Sequence, residues 1–387
     1  MMKKREVIVV GGGMVGALTA LLLAKQGFVI HLIEKDPIEL PALDSPFDLR
    51  VSAFSAQSKK LLEQAGVWQD LPENRLCAYQ RLQTWEAGSN KLKFDSHELG
   101  MQALGYIVEN RWIQALLWQS LKKLSNVTFY ENRVLLTIRH DEKSVSVGLD
   151  NQHIIEAELL IACDGANSAT RSLLDIGITA WDYRQHCLLI NIKTDCAQQN
   201  ITWQEFRETG PCAFLPLAEN NGSLVWYHSP EKIKQLQALN HTQLKKQIIL
   251  EFPKLNFDFE VLDKGAFPLT RRHAQTYSKG CAVLLGDAAH TINPLAGQGV
   301  NLGFKDVQCL VDLLVHSSDL PMLKLLKRYE MCRKPHNLLM QSAMDIFYKG
   351  SKSELNLVRL LRKSVLYVAQ NSGPIKNKVM KYAMGLS

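Results

Sequence analysis

The sequence lacks the patterns that mark several large classes of protein. Its eight cysteines form no C-x-x-C pair, and its eleven histidines form no H-x-x-x-H pattern and no cluster with cysteine. We therefore predict reduced thiols, no disulfide framework and no metal site. No apolar run approaches the roughly 20 residues that a membrane-spanning helix needs. No compact run of Lys and Arg carries interleaved aromatic residues, so nucleic-acid binding has no support in spite of the net charge of +7.

What remains is the composition of an ordinary globular protein. The chain has 387 residues, of which 46% are hydrophobic and 21% are charged, enough for a large core or for two intertwined domains. Reduced cysteines indicate a cytoplasmic protein. The excess of positive charge leaves contact with an anionic membrane open, so peripheral association with the inner membrane is the alternative to a free cytoplasmic location.

The beginning of the chain has the pattern of a βαβ unit. Residues 6–10 form a short apolar run typical of a buried strand, and residues 14–26 have the spacing of a helix that ends at Gly27. Residues 28–33 form a second apolar run. Such a unit binds dinucleotides when a glycine-rich turn joins its first strand to its helix.

That glycine-rich turn is present. Gly11 permits a tight turn after the strand, Gly13 lets the backbone approach a pyrophosphate, and Gly16 lets the helix pack closely on the strand. The amino terminus of the helix then faces the phosphate charge. Glu34 follows the second strand, where a carboxylate can accept hydrogen bonds from ribose hydroxyls. An acidic residue here favours FAD or NAD over NADP, whose additional phosphate it would repel.

Two later apolar runs each end in an aspartate. Asp164 and Gly165 indicate either a ligand-binding turn or an ordinary Asp-Gly turn in which Ser168 caps a helix. Asp287 is followed by a glycine-rich loop that leads into a helix. An aspartate in this position can accept a hydrogen bond from a polyol or ribose hydroxyl, and the loop and helix amino terminus can lie against a planar anionic ring. His290, nearby, has the more ordinary interpretation of a structural hydrogen-bonding group.

These signals together resemble the flavoprotein aromatic hydroxylases, whose family carries G-x-G-x-x-G, D-G and G-D motifs in this order. Residues 105–110, 265–273 and 290–303 are similar to the FAD-dependent hydroxylases of ubiquinone biosynthesis in particular, and the likeness extends over essentially the whole chain. The resemblance implies an α/β fold, in which a Rossmann-like FAD-binding domain of the aromatic-hydroxylase type is interleaved with an antiparallel-sheet substrate domain and followed by a helical C-terminus.

The order of strand-like and helical patterns also divides the chain into regions. The FAD-binding domain is discontinuous, because the substrate domain interrupts it. The predicted boundaries are 1–75, 101–180 and 266–340 for the FAD-binding domain, 76–100 and 181–265 for the substrate domain, and 341–387 for the helical C-terminal region.

Residues of all three motifs, with two arginines, are implied as cofactor ligands. The glycine-rich turn and Glu34 would bind the ADP part of FAD, Asp287 its ribose or ribityl region, and residues 297–301 the flavin ring. Arg50 and Arg111 match family arginines near the flavin and phosphates, although Arg50 can also be read as a surface-loop arginine. The predicted cofactor-binding residues are Gly11, Gly13, Gly16, Glu34, Arg50, Arg111, Asp164, Gly165, Asp287, Gly297, Gly299, Val300 and Asn301.

The family's chemistry requires molecular oxygen as co-substrate. The resemblance implies that reduced FAD reacts with oxygen to form a hydroperoxide, which an electron-rich ring then attacks. No second G-x-G-x-x-G occurs, so NAD(P)H, the expected electron donor, would bind transiently, or another donor would reduce the flavin. For the acceptor that activates the ring hydroxyl, the candidates are the backbone carbonyl near Pro294 and the side chains of Tyr227 and His228, unless these two belong to the core.

The implied substrate is a lipid-soluble quinol, a polyprenylated benzoquinol hydroxylated on its ring. Aromatic residues of the second domain suit a greasy tunnel beside the flavin, although core packing explains them equally well. They are Trp181, Trp203, Phe206, Phe214, Trp226 and Tyr227.

Two alternatives to this function stay open. The chain would be either a sister hydroxylase acting on an earlier polyprenyl phenol, or a non-catalytic flavin-binding subunit of a quinone-synthesis complex. Residues 355–383 mix apolar and basic side chains, which suits contact with a membrane, a partner in such a complex, or the protein's own core.

Overall fold

The computed structural model describes residues 5–86, 91–252, 255–293, 299–317 and 320–352. Its strands are β1 (Glu6–Val10), β2 (Val29–Glu34), β3 (Val51–Phe54), β4 (Leu76–Tyr79), β5 (Arg81–Glu86), β6 (Leu92–Asp95), β7 (Gly105–Glu109), β8 (Val127–Glu131), β9 (Leu135–His140), β10 (Val145–Leu149), β11 (Ile154–Ala157), β12 (Leu159–Ala162), β13 (Ile178–Thr194), β14 (Ile201–Phe206), β15 (Cys212–Pro216), β16 (Asn221–His228), β17 (Phe259–Ala274), β18 (Ser278–Lys279), β19 (Ala282–Leu284) and β20 (His290–Thr291). Its helices are α1 (Met14–Lys25), α2 (Ala56–Ala65), α3 (Asn110–Lys122), α4 (Ala169–Leu173), α5 (Pro230–Ala238), α6 (His241–Glu251), α7 (Gly299–His316) and α8 (Met322–Lys352).

A mostly parallel sheet forms the first half of the architecture. Its six strands run in the order β18-β19-β12-β1-β2-β8, and only the pairing of β18 with β19 is antiparallel. The central strands are continuous apolar runs, so both of their faces must be covered. Val7, Ile8 and Val9 are accordingly buried, and α1 contacts both α3 and α7. The predicted βαβ unit is confirmed.

A second, largely antiparallel sheet forms the other half. Its eight strands run in the order β20-β17-β13-β16-β15-β14-β5-β6. Successive residues of a strand point to opposite faces, and this period is clear along β13. Leu188, Ile190 and Ile192 pack in a core with residues of α5 and α6, whereas Cys187 and Leu189 face the other way and line a cavity. The predicted fold class, α/β with an interleaved antiparallel sheet, is confirmed.

The large sheet extends beyond the segments expected for it. β13 begins at Ile178 and β17 continues to Ala274, where the two strands pair with each other. β4, by contrast, pairs with β7 in a separate three-stranded sheet with β3. The exact domain boundaries stay a prediction. Among the described residues, no helix is both long and apolar enough to cross a bilayer.

Candidate active site

Three turns that lie far apart in sequence meet at one edge of the parallel sheet. β19, β12 and β1 are neighbours and run in the same direction, so their carboxyl ends lie side by side. The turns that follow them carry Asp287, Asp164 and Gly11. Ligands of open α/β sheets bind outside the carboxyl ends of the strands. The strand order therefore brings the three sequence motifs together where a ligand is expected.

The first turn requires glycine at two positions. Gly11 has φ of +96°, and a Cβ atom on it would lie 2.5 Å from the carbonyl oxygen of Cys163. A Cβ atom on Gly16 would lie 1.9 Å from the carbonyl oxygen of Gly11, so α1 approaches the turn as closely as backbone permits. Gly13 differs, because a Cβ atom there would meet nothing within 4 Å. The backbone at Gly13, at the amino terminus of α1, faces open space that suits an anionic group.

Glu34 stabilises this turn from the adjacent strand. Its Oε2 accepts a hydrogen bond of 2.5 Å from the backbone N–H of Gly12, and its Oε1 accepts one of 3.0 Å from Asp36. The carbonyl oxygen of Gly12 accepts from Trp118 Nε1 at 2.8 Å and from Gln114 Nε2 at 3.0 Å. The glycine-rich turn is thus held from both sides before any nucleotide contacts it. The ribose contact of Glu34 stays a prediction.

The Asp164 carboxylate is occupied by its own segment. Its oxygens accept hydrogen bonds from the Ser168 hydroxyl at 2.5 Å and from the backbone N–H and hydroxyl of Thr170 at 2.9 and 2.8 Å. Ser168 caps α4, and Gly165 takes φ of +81°. These contacts are those of an Asp-Gly turn leading into a capped helix. A direct contact of Asp164 or Gly165 with a cofactor stays a prediction.

Arg171 joins the second turn to the third. Its Nη1 donates to the carbonyl oxygen of Ala288 at 2.9 Å, and its Nη2 donates to that of Ala166 at 3.3 Å. The side chain is buried. The two aspartate-bearing turns are therefore fixed relative to each other by one guanidinium group.

Asp287 faces an open cavity. Its carboxylate can be reached from the cavity. Protein surrounds the rest of the side chain, and this desolvation raises the pKa of Asp287, whereas the charges on His290 and Arg50 oppose the shift. Arg50 lines the same cavity. Among the described residues, none donates a hydrogen bond to the Asp287 carboxylate, which is therefore available to a ligand hydroxyl.

The cavity joins the turns to the large sheet. It has a volume of about 450 Å³. Arg50, Asp287, Gly299 and Val300 lie on its turn side. The sheet side is mostly apolar and includes Leu189, Ala213, Leu215, Val225, Tyr227, Phe267 and Leu269. The predicted residues Pro294 and Gly297 lie outside the described residues.

Asn301 is close to the cavity but acts within the protein. Its side chain is buried, and its Oδ1 accepts from the backbone N–H of Ser55 at 2.9 Å and from the Ser58 hydroxyl at 2.7 Å. Its Nδ2 donates to the carbonyl oxygen of Ala53 at 2.8 Å. These bonds attach the first turn of α7, with Gly299 and Val300, to β3 and the segment after it.

Tyr227 and His228 point to opposite faces of the large sheet. Tyr227 is buried and lines the cavity, whereas His228 does not line it. The His228 Nδ1 accepts a hydrogen bond of 2.8 Å from the backbone N–H of Ser229, and burial lowers the pKa of this imidazole. Because neighbouring strand residues alternate between faces, the two could not both reach one substrate. The predicted role of His228 as ring-hydroxyl acceptor is therefore not supported by its position.

The predicted aromatic tunnel is wrong for three of its members. Phe214 and Trp226 lie on the face opposite Tyr227 and pack in the core with α5 and α6. Trp181 is 56% exposed. Trp203 borders the cavity while also packing in that core. Aliphatic and small side chains, rather than aromatic ones, form most of the apolar wall.

Arg111 lies apart from the cavity, in a group that supports the segment before Arg50. Its Nη2 donates to the Ser45 hydroxyl at 2.6 Å, and its Nε lies 4.0 Å from Glu109 Oε1. Arg75, at the centre of this group, was not predicted from the sequence. Arg75 is buried, lies 3.3 Å from Glu109 Oε2, and donates to the carbonyl oxygen of Ser45 at 2.5 Å. The only signal in the sequence is that Glu109 directly follows the apolar run at residues 105–108.

The residues present fit an adenine dinucleotide with a planar ring. Open space lies at the helix amino terminus beside Gly13, an available carboxylate lies at Asp287, and the cavity continues past Gly299. A Cβ atom on Gly299 would likewise meet nothing within 4 Å. In the parts of the chain that the structure describes, no group of three or more His, Cys, Asp or Glu residues is placed to hold a metal ion.

The chain is similar to several known proteins over most of its length. The family model described as an FAD binding domain matches residues 4–342. The chain is 44% identical over 386 residues to the 3-demethoxyubiquinol 3-hydroxylase of Escherichia coli, and the match covers 98% of both chains. It is 31% identical to the mitochondrial ubiquinone biosynthesis monooxygenase COQ6 of Xenopus tropicalis, covering 98% of this chain and 93% of that one. It is 30% identical to the ubiquinone hydroxylase UbiL of Rhodospirillum rubrum, covering 99% and 90%.

Solved structures show the same fold at much lower identity. The p-nitrophenol 4-monooxygenase PnpA of Pseudomonas putida has a TM-score of 0.79 at 19% identity, with 99% of each chain covered. PqsL of Pseudomonas aeruginosa, described as a probable FAD-dependent monooxygenase, has a TM-score of 0.76 at 19% identity, with 94% of this chain and all of that one covered.

Proposed function

The chain belongs to the family of FAD-dependent ubiquinone-biosynthesis hydroxylases, and from this premise we propose that its substrate is 3-demethoxyubiquinol. It is an FAD-dependent monooxygenase, and the proposed reaction places a hydroxyl group on the free ring carbon of this polyprenylated benzoquinol. The observation that carries the choice of substrate is the 44% identity, over 98% of both chains, with the Escherichia coli enzyme of that name.

The cofactor would be held mainly by the turn side of the cavity. We assign the diphosphate to the backbone at Gly13 and the amino terminus of α1, the adenosine ribose to Glu34, and the ribityl hydroxyls to Asp287. Gly299 and Val300 would contact the ring. Bound and reduced FAD supplies the oxygen-activating chemistry, with molecular oxygen as co-substrate. NAD(P)H is the proposed donor, and it would bind transiently because the sequence has no second G-x-G-x-x-G.

The sheet side would bind and orient the substrate. Leu189, Leu215 and Val225 offer an apolar wall to the ring and the first part of the prenyl tail, and burial of such area contributes roughly 25 cal/mol per Å². The same wall excludes water from the reacting carbon. Tyr227 is the proposed positioning residue for a ring hydroxyl, because it lines the cavity from the middle of the sheet.

A complementation experiment tests the assignment. The gene for this chain is expressed in an Escherichia coli strain that lacks its 3-demethoxyubiquinol 3-hydroxylase, and quinone intermediates are measured by mass spectrometry. We expect ubiquinone to be restored, and the demethoxy precursor to accumulate when the Asp287→Ala variant replaces the wild-type chain. Failure to consume that precursor would contradict the choice of substrate.

Two other functions can be told apart from the proposed one by experiment. The relatives at 30% and 31% identity are also ubiquinone hydroxylases, so a sister step is the second candidate, and rescue of a strain blocked at an earlier phenol would favour it. A purified yellow protein that never converts a quinol would instead indicate a non-catalytic subunit.

Contacts with a membrane or a quinone-synthesis complex are a separate proposal. It depends on residues 355–383, which lie outside the described residues. Deletion of the chain after Asn371 should reduce membrane association or complex size while FAD affinity is kept. Unchanged association and size would favour a helix that covers the protein's own core.

A further inference from the structure

A buried carboxylate that belongs to none of the three sequence motifs lies behind the cavity wall. Asp306 is on α7, and its side chain is fully buried. We propose that Asp306 is a positioning residue for the cofactor: it fixes both ends of the turn Gly286–His290 and thereby holds Asp287 at the cavity. It does not line the cavity, so we expect its effect on FAD to pass through that turn.

One oxygen of Asp306 contacts the turn twice. Its Oδ2 accepts a hydrogen bond of 3.1 Å from the backbone N–H of Gly286 and one of 2.5 Å from Nε2 of His290. Asp287 lies between these two anchored residues, with its own carboxylate open to the cavity. On its other side the turn packs closely on α1, since a Cβ atom on Gly286 would lie 3.2 Å from the Val15 side chain.

The other oxygen of Asp306 is held by α8. Its Oδ1 accepts from Nε of Arg333 at 2.7 Å and from Nδ2 of Asn337 at 3.1 Å, and Arg333 Nη2 donates to Asn337 Oδ1 at 2.9 Å. Burial opposes ionisation of Asp306, but His290 and Arg333 outweigh it and lower the pKa to about 2. The carboxylate is therefore charged at neutral pH, and its hydrogen bonds are of the stronger, charge-assisted kind.

A buried charge pair is not by itself a sign of function, because such pairs often contribute little net stability. What distinguishes this one is its placement between the long helix α8 and the turn that carries Asp287, whose carboxylate opens into the cavity. A purely structural residue would lower stability without acting through Asp287. A positioning residue should lower FAD affinity only while Asp287 is present.

A double-mutant cycle separates these two roles. Asp306→Asn and Asp287→Ala are made singly and together, and FAD affinity is measured by titrating each apoprotein with FAD. We expect Asp306→Asn alone to weaken FAD binding about tenfold, and to have almost no further effect once Asp287 is Ala. Additive effects of the two changes would overturn the proposal. If Asp287→Ala alone has no effect, the proposed cofactor contact and this proposal both fall, whereas the choice of substrate is untouched.

Two controls keep the result interpretable if Asp306→Asn is unstable. Leu314→Ala truncates a buried core residue elsewhere on α7, so it should lower the melting temperature of the apoprotein while FAD affinity is unchanged. His290→Ala should weaken FAD binding, and His290→Gln, whose amide can donate from nearly the same place as Nε2, should restore most of it. A loss of affinity in Leu314→Ala equal to that in His290→Ala, or no rescue by Gln, would overturn the positioning role.

Discussion

The two sides of the cavity are built in opposite ways. On the turn side, parallel strands end in turns whose backbone lies close to neighbouring backbone, as at Gly11 and Gly16, and Asp287 opens from one of these turns into the cavity. On the sheet side, alternate side chains of antiparallel strands form the surface, as with Leu189 and Val225. The first arrangement suits a cofactor of fixed shape. The second can adapt to a substrate by changing one side chain at a time, without moving the backbone.

The largest effect is expected from a methyl group at Gly16, where α1 lies closest to the backbone of the glycine-rich turn. Gly16→Ala places a Cβ atom 1.9 Å from the carbonyl oxygen of Gly11, so the helix must move, at a cost of about 3 kcal/mol or more. We expect loss of FAD binding and a lower melting temperature of the apoprotein.

Gly13→Ala is the matched control. The added Cβ atom meets nothing within 4 Å, and φ is −61°, so stability of the apoprotein should hardly change. FAD affinity should fall, because the methyl group occupies space assigned to the diphosphate. Equal destabilisation by both changes would contradict the view that Gly16 is crowded by backbone and Gly13 faces open space.

The next largest effect compares two neighbours on β13. Leu188 is buried in the core, and Leu188→Ala should lower the free energy of unfolding by about 2–5 kcal/mol. Leu189 faces the cavity, and Leu189→Ala should cost less than about 1 kcal/mol while raising KM for the quinol. Denaturant unfolding and steady-state kinetics measure the two. If KM rose in Leu188→Ala and not in Leu189→Ala, the assignment of Leu188 to the core and Leu189 to the cavity would be contradicted.

Asp287→Ala tests a hydrogen-bonding group on the turn side, whereas the glycine substitutions test the space available there. It removes a charged hydrogen-bond acceptor, typically worth about 1.5–3 kcal/mol, which is roughly ten- to hundredfold in FAD affinity. Leu189→Ala, on the opposite wall, should leave FAD affinity unchanged. Full FAD occupancy of Asp287→Ala at limiting cofactor would remove the role assigned to this carboxylate.

A smaller effect is expected at Glu34. Its carboxylate supports the turn through Gly12 and is assigned to a ribose, and Glu34 does not line the cavity in which the reaction is proposed. Glu34→Ala should weaken FAD binding, and saturating FAD should restore most of the turnover. Turnover that stays low with the site full of FAD would contradict this division between binding and chemistry.

The last effect, absent at neutral pH, is a change of stability with pH where the large sheet meets α8. Burial lowers the pKa of His273 from 6.5 to about 4, although its Nδ1 lies 2.9 Å from Oε1 of Gln341. The folded protein thus binds this proton more weakly than the unfolded chain does. Stability should be fully present above pH 6.5 and decline as pH falls towards 4. His273→Gln should reduce that decline when unfolding is measured on both sides of the window.

Features encoded locally could be predicted from the sequence. The bounds of β1 were predicted as observed, and the glycine-rich turn has the expected close contacts at Gly11 and Gly16, because a few adjacent residues determine both. What depends on distant partners was missed. The paired extensions of β13 and β17, near Ile178 and Ala274, rely on residues almost one hundred positions apart. The Arg75–Glu109 ion pair joins the turn before β4 to the end of β7.

The choice of face was missed for a different reason. Tyr227 and His228 are both plausible ring contacts by residue type, and only the register of β16 in the sheet shows that they point apart. Helix α5 was also not predicted. Ser229 caps it and Pro230 lies in its first turn, which is a helix start signal, but few apolar residues follow at helical spacing.

The most direct test of the proposed reaction is a single turnover with isotopically heavy oxygen gas. The purified protein, loaded with FAD and reduced chemically so that no biological donor is required, is mixed with 3-demethoxyubiquinol and heavy oxygen, and the product is analysed by mass spectrometry. We expect a hydroxylated quinol that carries one heavy oxygen atom on its ring. Oxidised flavin with unmodified quinol, or a hydroxyl group that contains no heavy oxygen, would contradict the proposed reaction.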